Sequence, residues 1–299
     1  MEDGLSHAYA GRLDAGGHLV TVGVRTIGAA DAPSVAQFGG HYLVAWLEPD
    51  SYDGRPMLVT GALDHDFKLL SARPIGLTLS APVVRAAFSR AYVGSGKFAY
   101  EVDAAGAPLA VFDLPRAIDD IAIAGSQVGY VWHAAAAPNY TLTFTWQYKL
   151  ITQIALPFKS DAPAAISSNG NEFLVVWSEA APNKMIKASL FGSSFRPFLV
   201  SGRGPLLFDA VTQPQVAWDG MRWLAVWARD DSIEGAVIAA DLKVTPFTVS
   251  ARGLRPAIAP ARPGRFIVTY EVVDSNERRL ASRLIDFGPP PAERGRAVR

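Results

Sequence analysis

The chain has 299 residues, a formal net charge of +0 and 0 Cys, with 49% hydrophobic and 19% charged residues. A neutral balance gives no electrostatic footprint for nucleic acid or an anionic membrane, and without cysteine there can be no disulfide, thiolate metal site or cysteine nucleophile. Apolar material is ample for a sizeable core, yet no run approaches the ~18–20 apolar residues of a membrane-spanning helix.

In chain order, residues 1–7 are neither basic nor apolar and do not read as a signal peptide. His7 to Leu13 reads as a strand, the Asp14-Ala-Gly-Gly17 stretch as a turn, and His18-Leu-Val-Thr-Val-Gly-Val24 as the strand that follows. Then comes the phrase Pro33-Ser-Val-Ala-Gln-Phe-Gly-Gly-His-Tyr-Leu-Val-Ala-Trp46, which aligns without a gap on Pro214-Gln-Val-Ala-Trp-Asp-Gly-Met-Arg-Trp-Leu-Ala-Val-Trp227. Pro163 to Trp177 and Pro256 to Tyr270 repeat it with one residue inserted. Each phrase predicts two strands around a Gly-containing turn, and Asp219-Gly220 is a hairpin signal.

A second marker is a strand-turn unit with Asp or Gly at its tip. It recurs at Gly61-Ala-Leu-Asp-His-Asp66, Tyr100-Glu-Val-Asp-Ala-Ala-Gly106 and Ala188-Ser-Leu-Phe-Gly-Ser193. It reveals two degenerate units, a short one from Pro82 to about Pro115 without the strand-two Trp, and one from about Ala117 to Pro157 containing Gly129-Tyr-Val-Trp132. Self-similarity at roughly 40–50 residues with only strands in the unit predicts an all-β propeller. Openings at Pro33, Pro82, Asp119, Pro163, Pro214 and Pro256 predict six blades of four antiparallel strands in one domain over 6–287. The sixth runs out after a third strand at Arg279-Leu-Ala-Ser-Arg-Leu-Ile-Asp286, so the N-terminal strand from His18 is expected to complete it and close the ring. The Pro-rich, charged tail 288–299 is expected to be disordered.

At Tyr42-Leu-Val-Ala-Trp46, Phe173-Leu-Val-Val-Trp177 and Trp223-Leu-Ala-Val-Trp227 the chain resembles the propeller repeats of bacterial secreted and surface proteins. The resemblance implies a propeller in an extracytoplasmic setting and brings no catalytic residues, because the shared pattern is structural. The Gly-His to Trp-Asp pairing, the sialidase-type Asp box and the Tyr-Trp-Thr-Asp signature of other propellers do not occur.

The strand-end aromatics Trp46, Trp132, Trp177, Trp227 and Tyr270 recur once per blade in one register, which favours packing between blades over an aromatic ligand site. Glu48, Asp50, Asp53, Glu179, Asp230, Asp231, Glu271 and Asp274 all follow the second strand and should share one face. They read as a cation or acid–base site, or as ordinary loop polarity neutralised by Arg55, Lys184, Arg229 and Arg255. Asp119 stands where other blades open with Pro, with Asp120 behind it, and Arg85 lies in a strand whose repeat mates are small or apolar. Departures from a repeat's own rule nominate function or strain, so a polar Arg85, Asp119 and Asp120 network lining the channel is expected.

His7, His18, His41, His65 and His133 show no metal-ligand spacing, and only His133, directly after Trp132, lies on the candidate face. Asp50-Ser-Tyr-Asp-Gly54 lacks the alternating carboxylates of a calcium loop. No nucleophile elbow or phosphate loop is present. The chain therefore reads as a monomeric, non-enzymatic binding module for a protein or carbohydrate, without a cofactor, its site at the channel mouth formed by Arg85, Asp119, Asp120, His133, Glu179, Asp230 and Glu271. The alternatives are a hydrolase or lyase using those carboxylates with a divalent cation, and a structural piece of a larger surface protein.

Overall fold

The computed structural model describes residues 7–13, 19–29, 31–49, 55–78, 80–87, 89–134, 137–146, 149–156, 163–179, 185–192, 195–201, 214–274 and 277–288. Asp50, Asp53, His18, Lys184 and the tail from 289 lie outside these residues. Every element is a strand. An N-terminal pair, β1 (His7–Leu13) and β2 (Leu19–Ala29), precedes the repeats.

The first blade holds β3 (Asp31–Phe38), β4 (His41–Pro49), β5 (Pro56–Leu63) and β6 (Leu69–Leu77). The second holds β7 (Val83–Ala87), β8 (Arg90–Ser95), β9 (Phe98–Val102) and β10 (Pro108–Asp113). The third holds β11 (Asp120–Ala124), β12 (Gln127–Ala134), β13 (Ala137–Trp146) and β14 (Lys149–Leu156). The fourth holds β15 (Ala165–Ser168), β16 (Phe173–Ser178), β17 (Ile186–Phe191) and β18 (Phe195–Ser201). The fifth holds β19 (Gln215–Trp218), β20 (Trp223–Arg229), β21 (Ser232–Ile238) and β22 (Val244–Ser250). The last sheet holds only β23 (Leu254–Arg262), β24 (Arg265–Asp274) and β25 (Glu277–Asp286).

All pairings are antiparallel between neighbours in the chain, as short strands joined by tight turns require. Both degenerate units are complete four-stranded blades. The expected count of six is corrected: among the described residues five blades have four strands and the sixth unit has three. Among the described residues the strand pairing also lacks the expected N-terminal closure: β2 pairs only with β1, from Leu13 opposite Leu19 to His7 opposite Ala29. A local hairpin costs far less loop entropy than a pairing between the two ends of the chain. Asp219-Gly220 lies, as expected, in the hairpin turn between β19 and β20, inside the Trp218–Trp223 pair, where Asp219 N–H donates to the Arg222 carbonyl at 3.2 Å and Gly220 sits at φ +100°.

The first strand of each sheet is innermost, and β3, β7, β11, β15, β19 and β23 lie beside one another in that order. The core is laid down between blades rather than within them. Leu43 and Leu58 of the first blade pack on Val84 and Val93 of the second, Tyr92 of the second on Ile121 and Trp132 of the third, and Val131 on Phe173 and Trp177. Leu174 and Val176 meet Trp223 and Trp227, and Leu224 and Val226 meet Phe266 and Tyr270. Each strand-end aromatic from Trp132 onward thus faces the blade before it, where a large flat side chain fills the wedge. Gly129 allows one of these approaches: a Cβ there would sit 2.9 Å from the Phe173 ring. On β3, by contrast, Val35 is exposed, although its register mates Val84, Ile121 and Ile166 are buried.

Candidate functional site

Cross-strand register identifies which residues are equivalent. Ser34 lies opposite Ala45, Val83 opposite Gly94, Asp120 opposite Val131, Ala165 opposite Val176 and Gln215 opposite Val226, so these five occupy one place on the inner strands. Two residues further on, the equivalent places hold Ala36, Arg85, Ala122, Ser167 and Ala217. Arg85 is the only charged member of that set.

Arg85 Nη2 lies 2.6 Å from Asp120 Oδ1, with the arginine side chain 37% exposed and the aspartate side chain 3% exposed. Its Nη1 donates to the Val84 carbonyl at 3.0 Å. Asp120 also accepts from two backbone N–H groups, Ile121 to Oδ1 at 2.8 Å and Ile166 to Oδ2 at 3.0 Å. Asp119 Oδ2 accepts from Ala164 N–H at 3.1 Å. Arg85 thus meets Asp120, while Asp119 bonds to the Ala164 N–H, and the contacts of Asp120 join three blades: Arg85 from the second, Asp120 from the third, and the entering strand of the fourth. Ser34 makes the corresponding bond between the first two blades, accepting from Val84 N–H at 2.9 Å. Asp120 is thus an enlarged, charged version of a tie that the repeat already uses.

Burial pushes the Asp120 carboxyl above the usual carboxylate range. The Arg85 charge and the Ile166 and Ile121 N–H groups pull it back, and Asp119 pushes it up again. A buried carboxylate survives only with such partners, so part of the network is structural.

The acidic loop residues are mostly committed to neighbours. Glu179 lies 2.8 Å from Lys187 Nζ across the β16–β17 pair, and Glu271 is held by Arg255 at 3.2 Å and Arg278 at 3.8 Å. Glu48 Oε1 accepts from Trp46 Nε1 at 2.8 Å, and Asp274 meets Arg279 at 2.7 Å. Asp230 is exposed at the β20–β21 turn with φ 52°, where aspartate serves the backbone conformation. His133 is placed in β12 by its backbone, opposite Tyr140, and its side chain lies outside what the structure describes. Among the described residues no group of three or more His, Asp or Glu side chains converges into a metal site.

One cluster escaped the sequence reading. The register through the second blade sets Arg85 opposite Tyr92, and Tyr92 opposite Glu101. The first, fourth and fifth blades place Leu43, Leu174 and Leu224 in the middle of that row, and Ala62, Leu190 and Val237 at its outer end. Glu101 is buried and lies 3.1 Å from Arg90 Nε. Arg90 also donates to the Tyr92 hydroxyl and, at 2.9 Å, to the Ser126 carbonyl of the next blade. The second blade thus turns a polar row toward the third, from Arg85 on the innermost strand outward. The signal in the sequence was a Glu in Tyr100-Glu-Val-Asp103 where the equivalent places of the first, fourth and fifth blades hold Ala, Leu and Val.

No protein-family model matches the chain, and no curated protein matches it in sequence. Similar solved structures are β-propellers and their relatives. The propeller domain of the Trilobed protease from Pyrococcus furiosus, described as having an open velcro topology, is 11% identical with a TM-score of 0.53, covering 89% of this chain and 83% of that one. The Neurospora crassa Pan2 WD40 domain is 9% identical with a TM-score of 0.54, over 86% and 79%. A subtype N10 neuraminidase-like protein of A/little yellow-shouldered bat/Guatemala/060/2010 is 8% identical with a TM-score of 0.55, over 87% and 94%. At these identities the likeness is one of fold, and the fold is a β-propeller.

Proposed function

We propose that the protein is a non-catalytic binding module whose site is the channel mouth beside Arg85. One observation carries this reading. Every other inner-strand residue in that register is Ala or Ser, whereas Arg85 places a guanidinium there that is pinned on one side by Asp120 and 37% exposed on the other. A guanidinium held in one orientation offers its open N–H groups to a carboxylate or to polar carbonyl and hydroxyl oxygens, as an acidic peptide or an acidic sugar carries. The propeller fold supports an interaction scaffold in general, and fold alone does not choose the ligand.

Acid–base chemistry is the weaker reading, because Asp119, Asp120, Glu179 and Glu271 are each engaged by backbone N–H groups or by cations. The extracytoplasmic bacterial setting belongs to this proposal on the strength of the repeated strand phrase. The test is a thermal-shift screen of acidic peptides, uronic-acid oligosaccharides and divalent cations against the native protein and an Arg85→Gln variant. Stabilisation by an acidic ligand that is lost in the variant supports the site. Stabilisation only by a divalent cation, unaffected by the variant, would move the function to the carboxylates.

A further inference from the structure

Strand β25 has the character of an interior strand but lies at an edge. Of the outermost strands of the five four-stranded blades, β6, β10, β18 and β22 each carry a proline (Pro74, Pro108, Pro197, Pro246), and β14 does not. Proline removes a donor from an edge and blocks further pairing. The sequence of β25, Glu-Arg-Arg-Leu-Ala-Ser-Arg-Leu-Ile-Asp, has none. Third strands elsewhere are covered on both sides, and β5 and β17 are buried along most of their length. β25 instead exposes Arg278, Arg279 and Arg283, and its Leu280, at 69%, is the most exposed large hydrophobic among the described residues. The N-terminal strand expected to cover it is paired with β1.

We propose that the outer edge of β25 pairs antiparallel with β25 of a second copy of this chain, making a two-fold dimer through a continuous six-stranded sheet. The strand is self-complementary when the axis passes through Ser282. Arg278 then lies opposite the partner's Asp286, and Leu280 opposite the partner's Leu284. All of these belong to the face turned away from the fifth blade, since Phe266, Val268 and Tyr270 on the other face make the buried contact with that blade. Centring the pairing one residue earlier, on Ala281, would set Arg279 against the partner's Arg283, a like-charge pair that costs stability. Arg278 is 67% exposed and its contact with Glu271 is a loose 3.8 Å, and it would join Arg265, at 2.6 Å from Asp286 within the same chain, as a second cation on that carboxylate. The proposal replaces the monomer expected from the sequence and is independent of the channel-mouth site.

Light scattering and sedimentation of the native protein over a range of concentrations should show a monomer–dimer equilibrium. Leu280→Asp should weaken it at least about tenfold. Arg278→Asp should weaken it likewise. Because the chain has 0 Cys, Ser282→Cys should give one self-crosslinked dimer on mild oxidation, which checks the axis without disturbing either pair. Circular dichroism confirms that each variant is folded. A native protein that stays monomeric at every concentration overturns the proposal. So does a dimer that survives Leu280→Asp and Arg278→Asp unchanged, since its interface would then lie elsewhere.

Discussion

Asp120 shows how one buried residue can tie neighbouring blades together. Its carboxylate is buried against two N–H groups and one guanidinium, and its pKa is raised because burial outweighs those partners. An acid whose folded pKa lies above its unfolded value, about 3.9, adds stability below that value and loses it as pH rises through the folded pKa. Removing Arg85 takes away the main group opposing the rise, so the loss should deepen and extend to higher pH. Denaturant unfolding of native protein and Arg85→Ala at several pH values should show the two curves diverging as pH increases above about 4. A gap that stays constant with pH would mean that Arg85 acts on stability by some route other than Asp120. The Asp pair and Arg85 were legible in the sequence because each breaks the repeat's own rule. Arg90 and Glu101 were not, since their partners lie one strand away and only the register through Tyr92 aligns them.

At the scale of the element, the unit is two neighbouring blades rather than one. Trp177 is buried between β16 of the fourth blade and the third blade, so Trp177→Ala should cost roughly 3–5 kcal/mol by truncation of a buried aromatic. Thermal or denaturant unfolding measures it, and an unchanged midpoint would refute the packing role. Polar ties also cross between blades at the turn end. Asp219 accepts from Met221 N–H at 2.8 Å, Arg222 N–H at 2.9 Å and, in the next sheet, Gly264 N–H at 2.9 Å. Asn169, its counterpart in the fourth blade, accepts from Asn171 and Glu172 within its own turn. Asp219→Ala should therefore destabilise more than Asn169→Ala, by about 1.5–3 kcal/mol for a charged acceptor left out. Equal effects would show that the link to Gly264 contributes nothing. Strand positions and turns were readable from alternation and Gly-Asp punctuation. The N-terminal pairing was not, because sequence similarity identifies a fourth-strand type without saying which third strand it joins.

For the whole molecule, the repeat predicts an all-β propeller and the structure has one, with five four-stranded blades and a three-stranded last sheet. With 28 basic and 28 acidic residues, acids such as Glu179, Glu271 and Asp274 have a cation within reach, and a side-chain pair such as Glu179 with Lys187 is set by register rather than by spacing. The site proposed on this molecule is the channel mouth at Arg85. Its most direct test is the melting temperature of native protein and Arg85→Gln, each with and without an acidic peptide or uronic-acid oligosaccharide. The account predicts an upward shift with ligand in the native protein and none in the variant. An equal shift in both would contradict it.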